Sequence, residues 1–365
     1  MRASARRWGP ALVLVLAALI LAIAAAPAAA SYDPVGSGST RIVLTPAFAA
    51  TLRSHGVGLS ARGPATLRGR AVTFPVSGGR LDPVAVRGSV DHEGALVFRA
   101  GAHRLPMKAL RLKTTQARSP LSAKFGGGQL KLAASARLQT RRAGFGLAAR
   151  VTEIRLSAKV ATRLDKKLGL RGVFAAGQSI GTATTDAQPE TVAIKTGGGA
   201  QLALTPEFAA KLQSLFVAVN PIFPAEHLGA PFTLPIASGQ IAPDASTGVL
   251  RLAGSLEAIQ QEGGQAFLRD PVLDFGAHAA SVELELDPSP PNPGALGRVP
   301  VFDLGAGAAS SEPKAREITV AGVTLALQAA TARELDEAFA KPQGKAGVFA
   351  AGEAFATISF AATAE

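Results

Sequence analysis

The chain has 365 residues and a formal net charge of +12, from 38 Lys+Arg against 26 Asp+Glu. It is 47% hydrophobic and 5% aromatic, and it contains no cysteine. That length and apolar content can bury a sizeable core, which excludes disorder for most of the chain. The missing thiol excludes disulfides, a Cys nucleophile, Cys-ligated zinc or iron–sulfur centres and thioether-linked haem.

Residues 1–30 read as a secretory signal peptide. Arg2, Arg6 and Arg7 give a positive start, residues 11–26 are unbroken apolar, and Ala28-Ala29-Ala30 supplies the small residues for cleavage before Ser31. No Cys follows, so a lipoprotein anchor is excluded, and no later stretch is long and apolar enough to span a membrane. The expected location is secreted or in the extracytoplasmic cell envelope.

From there the chain repeats itself. Leu44-Thr45-Pro46-Ala47-Phe48-Ala49-Ala50-Thr51-Leu52 returns 160 residues later as Leu204-Thr205-Pro206-Glu207-Phe208-Ala209-Ala210-Lys211-Leu212. The same offset joins Thr73-Phe74-Pro75-Val76 to Thr233-Leu234-Pro235-Ile236. Gly172-Val173-Phe174-Ala175-Ala176-Gly177 returns unchanged at 347–352, an offset of 175, so the second copy holds about fifteen extra residues. The Pro-rich run 287–294 is the expected place for them. Repeat one covers residues 37–187 and repeat two residues 191–365, with Gln188-Pro189-Glu190 and Gly197-Gly198-Gly199 near the junction.

Within each copy the pattern is mostly strands. Short runs bounded by Gly, Pro and Ser predict strands at 41–44, 71–74, 95–98 and 130–132. Near-alternation predicts two more at 108–113 and 282–286. Thr45 and Thr205 are N-caps with Pro at the first helical position, and Gly56 stops the first helix. A second helix is expected at 157–168, ending at Gly169. Its counterpart is expected to open on a capping box, Thr331-Ala332-Arg333-Glu334. The fold class is therefore mainly β: two tandem repeats of a β-sandwich or curved antiparallel sheet with short helices, in preference to a closed barrel.

Charge is divided between the copies. Residues 31–190 hold 25 basic and 8 acidic side chains, net +17, while residues 191–365 hold 10 and 18, net −8. The expected partners of the basic copy are an anionic cell-wall polymer or membrane headgroups. The two copies docking on each other, or charges that are simply solvated, are the alternatives. Nucleic acid is not expected of an exported chain with so few aromatics.

Catalytic chemistry finds little material. The five histidines are His55, His92, His103, His227 and His278, with no H-E-x-x-H and no close pair. Asp91-His92-Glu93 is the densest titratable cluster, but on a strand its carboxylates point away from the imidazole. No G-x-S-x-G elbow and no phosphate loop is present. No catalytic residue and no metal ligand is assigned, and the chain reads as a non-enzyme.

The segment Gly88-Ser89-Val90-Asp91-His92-Glu93-Gly94-Ala95-Leu96 resembles the HtaA-type domain of actinobacterial haem-uptake proteins, whose G-s-v…H-x-G-x-L motif it matches. The likeness covers roughly residues 44–112. It implies an exported binding module with haem as cofactor and His92 in the haem-binding pocket. Haem-binding members also use an axial Tyr near the domain start, in a stretch with a Trp. Here the single Tyr is Tyr32, the single Trp is Trp8, and the second copy has Leu252 in place of His92. The resulting expectation is a cell-envelope binding module for haem or another apolar ligand in repeat one; the alternative is a structural or adhesive surface protein with no small-molecule ligand.

Overall fold

Alternating apolar side chains dominate the strands, and the computed structural model arranges them as two large antiparallel sheets. It describes residues 32–365 apart from 83, 117–118, 133–136, 228–230, 262–263 and 287–294. The expected signal peptide and the Pro-rich run therefore lie outside the described residues.

The first sheet holds β1 (Asp33–Leu44), β2 (Val57–Arg62), β3 (Thr66–Arg68), β4 (Ala71–Leu81), β5 (Gly88–His92) and β6 (Ala95–Ala100). It continues with β7 (His103–Lys113), β8 (Leu121–Phe125), β9 (Gln129–Lys131), β10 (Leu138–Ala143), β11 (Gly146–Arg155) and β12 (Ser179–Pro189). The second sheet holds β13 (Val192–Ile194), β14 (Gly199–Leu204), β15 (Val217–Ile222), β16 (Phe232–Ile241), β17 (Gly248–Leu252) and β18 (Ser255–Gln260). After these come β19 (Gln265–Asp274), β20 (Ala279–Leu286), β21 (Ala295–Leu304), β22 (Ala308–Glu312), β23 (Glu317–Leu327) and β24 (Ala354–Thr363). The strands expected at 41–44, 71–74, 95–98, 108–113 and 282–286 fall inside these, and the one expected at 130–132 stops a residue early, since β9 ends at Lys131 and Leu132 is a bend.

The strand register follows the offsets of the repeated motifs. Thr40 pairs with Thr185 across β1 and β12, and Ala200 pairs with Phe360 across β14 and β24, the same offsets of 160 and 175 that the motifs show. The second copy differs from the expected open sheet. Its ladders run β16–β14–β24–β23–β21–β20–β19–β17 and return to β16, which closes a barrel. The first copy stays open as a ladder between β9 and β11. There the link is local: Ser157 N–H donates to Leu132 O at 3.1 Å and Ser157 Oγ to Lys131 O at 2.7 Å. The difference is strand length, since three-residue β9 stands where ten-residue β21 completes the ring.

Among the described residues there are four short α-helices. α1 (Pro46–Ser54) and α3 (Pro206–Ser214) start identically, Thr45 Oγ1 accepting from Phe48 N at 3.1 Å and Thr205 Oγ1 from Phe208 N at 3.2 Å. Each cap is worth about 1 kcal/mol. Both present a Phe and a Leu to the core, Phe48 with Leu52 and Phe208 with Leu212. α2 (Ala158–Leu168) runs from its cap Ser157 to a left-handed Gly169, as the sequence predicts. α4 (Ala329–Leu335) corrects the expected capping box. It starts at Gln328, which makes no side-chain cap bond, and Thr331 is buried inside the helix. The backbone sets that start: Gln328 N donates to Val301 O at 3.0 Å, as Ser157 does to Leu132 in the first copy.

Each sheet wraps its own apolar core, and residues Tyr32–Glu365 form one compact unit. The copies are joined by side chains. Phe145, in the turn between β10 and β11, packs into the core of the second copy. The Arg316 guanidinium lies 5.7 Å from its ring centroid and donates to the Phe145 carbonyl at 3.4 Å. Buried Asp33 accepts from Ala193 N at 2.9 Å, and its burial raises the carboxyl pKa against the opposing pull of that bond and of Arg316.

Candidate functional site

Two places in the first copy bear on function: the interior around His92 and the outer face above it.

His92 ends β5, and the alternation of that strand turns it inward, where it is 4% exposed. Its Nε2 lies 2.7 Å from Thr40 Oγ1 and its Nδ1 3.0 Å from Leu110 O. Thr40 Oγ1 lies 2.6 Å from Thr185 Oγ1. A carbonyl only accepts, so Nδ1 carries the proton. For the neutral ring Nε2 then accepts from the Thr40 hydroxyl, and Thr40 accepts from Thr185. Burial lowers the His92 pKa, against smaller raising effects of Leu110 and Asp91, which keeps the ring neutral. Both nitrogens are thus committed inside the protein.

Haem is the group that the resemblance implies, and these residues do not fit it. His92 presents no free nitrogen. The void inside the first core, lined by Ile42, Phe74's neighbour Val72, Leu96 and Phe125 among others, is about 20 Å³. Ligand pockets of drug-sized molecules run to roughly 300–1,000 Å³. Tyr32 is 48% exposed at the start of the described residues, away from that interior. The H-x-G-x-L glycine has a reason within the fold: Gly94 is left-handed at φ 84°, and a Cβ there would meet Ala65 N at 2.4 Å. Gly254 repeats this at φ 95° against Ala225 N, with no histidine nearby in the motif.

The neighbours of His92 point outward, as strand alternation requires. Asp91 forms a two-point ion pair with Arg111 on β7, and Glu93 is exposed. The other four histidines are exposed and scattered. Among the described residues no group of three His, Cys, Asp or Glu is placed to hold a metal ion. No helix among them is long and apolar enough to cross a membrane.

The outer face is different in kind. Pairing across β10, β11, β12 and β1 sets Gln139 beside Arg150, Arg150 beside Thr184, and Thr184 beside Arg41. One register step along lie Arg141, Ala148, Asp186 and Ser39. The small side chains in the middle leave an open cleft of about 640 Å³, with Arg41, Arg141 and Arg150 around it. None of these three arginines is ion-paired among the described residues. The corresponding face of the second copy carries Gln201 for Arg41 and Ser359 for Thr184, and Ala321-Gly322 lies where Arg150 stands. The excess charge is legible in the sequence but the cleft is not, because only the register brings these distant arginines together.

No family model matches the chain, and no curated protein matches it. Among solved structures, a match is the C-terminal domain of HtaA from Corynebacterium glutamicum, 16% identical with a TM-score of 0.35, over 47% of this chain and 100% of that one. A likeness that loose assigns no family.

Proposed function

We propose that this protein is a non-enzymatic binding module of the cell envelope, whose first copy holds an anionic polymer along its outer face. The observation that carries the reading is the cleft edged by Arg41, Arg141 and Arg150, none of them ion-paired among the described residues, within a stretch, residues 31–190, of net charge +17. Guanidinium groups bind phosphate and carboxylate through paired N–H donors. Arg41 and Arg150 flank Thr184, two strand spacings apart, which is roughly 10 Å. That interval suits charges repeating along a chain. Ser39 and Thr184 add hydroxyls to the same face, and the surplus charge raises the local concentration of a polyanion. The signal-like pattern of residues 1–30 in the sequence supports an envelope setting.

The test is retention of the protein on immobilised polyphosphate and polyuronate across a salt series, with vesicles of phosphatidylglycerol as a further arm. Replacing Arg41, Arg141 and Arg150 by Gln together is expected to weaken polymer binding by about tenfold or more and to flatten its salt dependence. Unchanged retention would overturn the reading, and binding to vesicles alone would replace the polymer with a lipid surface.

A further inference from the structure

The replacements peculiar to the second copy converge on one cleft. Phe216 stands where the first copy has Gly56, and both residues are left-handed, at φ 55° and 64°. A bulky ring is rarely found in that conformation. It gains nothing from burial here either, since Phe216 is 71% exposed. Two glutamines hold it there: the carbonyl of the preceding Leu215 accepts from Gln260 Nε2 at 2.7 Å and from Gln343 Nε2 at 2.8 Å. Gln260 and Gln261 stand where the first copy has Ala100 and Gly101.

Gln343 arrives by an insertion. Asp165 and Asp336 make the same turn in the two copies, each Oδ1 accepting from two successive backbone N–H groups, of Val173 and Phe174 and of Val348 and Phe349. Gly169 and Gly344 end the two segments, both left-handed. Residues 166–168 lie between these points in the first copy and 337–343 in the second. Part of the extra length expected in the Pro-rich run is therefore here, taken up as a π turn over Asp336–Ala340 and a 3-10 turn over Lys341–Gln343. π turns inside helices are frequent at functional sites.

Phe216, Gln260, Gln261, Pro342 and Gln343 together line an open cleft of about 360 Å³. Gln260 is itself 5% exposed; its Nε2 also donates to Phe339 O at 3.0 Å, and its Oε1 is buried without a hydrogen-bond partner among the described residues. We infer that this cleft binds a sugar residue of a neutral glycan. Among the described residues no charged side chain lines it, so these residues offer an ionic ligand no counter-charge. Gln260 Nε2 and Gln343 Nε2 are taken up by Leu215 O and Phe339 O, but a wholly apolar ligand would still leave the buried Gln260 Oε1 without a partner. A pyranose ring offers what remains: an apolar C–H face for the exposed ring of Phe216, and hydroxyls that both donate and accept for the amides.

The experiment is an NMR titration of the protein with maltohexaose, chitohexaose and a galactan oligosaccharide, following the side-chain amide signals of Gln260, Gln261 and Gln343. At least one sugar is expected to shift them saturably. Phe216→Gly restores the residue of the first copy and relieves the backbone. It is expected to weaken that sugar by about tenfold or more without lowering Tm, and to leave polyanion retention unaltered. Gln343→Ala is expected to weaken the sugar as well. Silence of the amide signals with all three sugars, or unchanged affinity in Phe216→Gly, would overturn the assignment.

Discussion

At the centre of the first copy, Thr40, His92 and Thr185 form a hydrogen-bonded chain that ends on Leu110 O. The second copy has Ala200, Leu252 and Phe360 at the matching positions, all buried. Neither set of three positions is a mixture. A buried polar network is stable when every member is satisfied, and an apolar core of similar volume is the other stable solution. The two copies are those two solutions on one backbone. The outer faces divide as the interiors do, with arginines on one and Gln201 and Ser359 on the other. The β1–β12 and β14–β24 ladders thus keep one register while the side chains on both of their faces differ in groups.

That comparison can be broken most severely at the joint between the copies. Phe145→Ala removes the first copy's ring from the second copy's core and is expected to cost about 3–5 kcal/mol, read as a split or lowered unfolding transition in calorimetry. If the transition is unmoved, the copies do not depend on each other.

Next in size is His92→Leu, which imports the second copy's residue alone. It strips Leu110 O of its donor and Thr40 of its acceptor, for an expected loss of about 1–3 kcal/mol in denaturant unfolding. Changing Thr40→Ala and Thr185→Phe in the same molecule is expected to recover part of that loss, because the apolar solution is then complete. A triple variant less stable than His92→Leu would show that the two networks are not interchangeable.

The pH dependence follows from the same residue. Burial lowers the folded-state pKa of His92, so the unfolded chain binds its proton more readily. The stability tied to the neutral ring is complete above the unfolded value of 6.5 and declines as the pH falls below it towards the folded pKa. Asp33 works in the opposite sense: its raised pKa makes the ionised form unfavourable in the fold, and that penalty disappears as pH falls through it. Urea unfolding across this range is expected to lose the histidine-linked slope in His92→Leu. The smallest effect is at the caps, where Thr45→Ala and Thr205→Ala should each cost about 1 kcal/mol, equally in the two copies because their helix starts are alike.

Much of this architecture is legible in the sequence. The Thr-Pro helix starts and the strand runs rest on neighbours in the chain, and the structure carries them; the repeated motifs rest on direct repetition, and the paired strands keep their offsets. What was not legible depends on pairing between distant segments. Helix α4 starts at Gln328 because of a bond to Val301, which no local pattern around Thr331 shows. The second sheet closes because β21 is long enough to reach β23, and its length is hidden beside the Pro-rich run. Arg41 and Arg150 are brought together through Thr184 alone. His92 illustrates the converse: its motif was visible, but only the structure shows that Thr40 and Leu110 already occupy both of its nitrogens.

The most direct measurement is backbone NMR mapping of the protein titrated with polyphosphate. The account predicts saturable shifts at residues 39–41, 139–150 and 184–186, with the matching face of the second copy, residues 199–202 and 357–361, left still. Shifts spread evenly over both copies, or confined to the second, would contradict it.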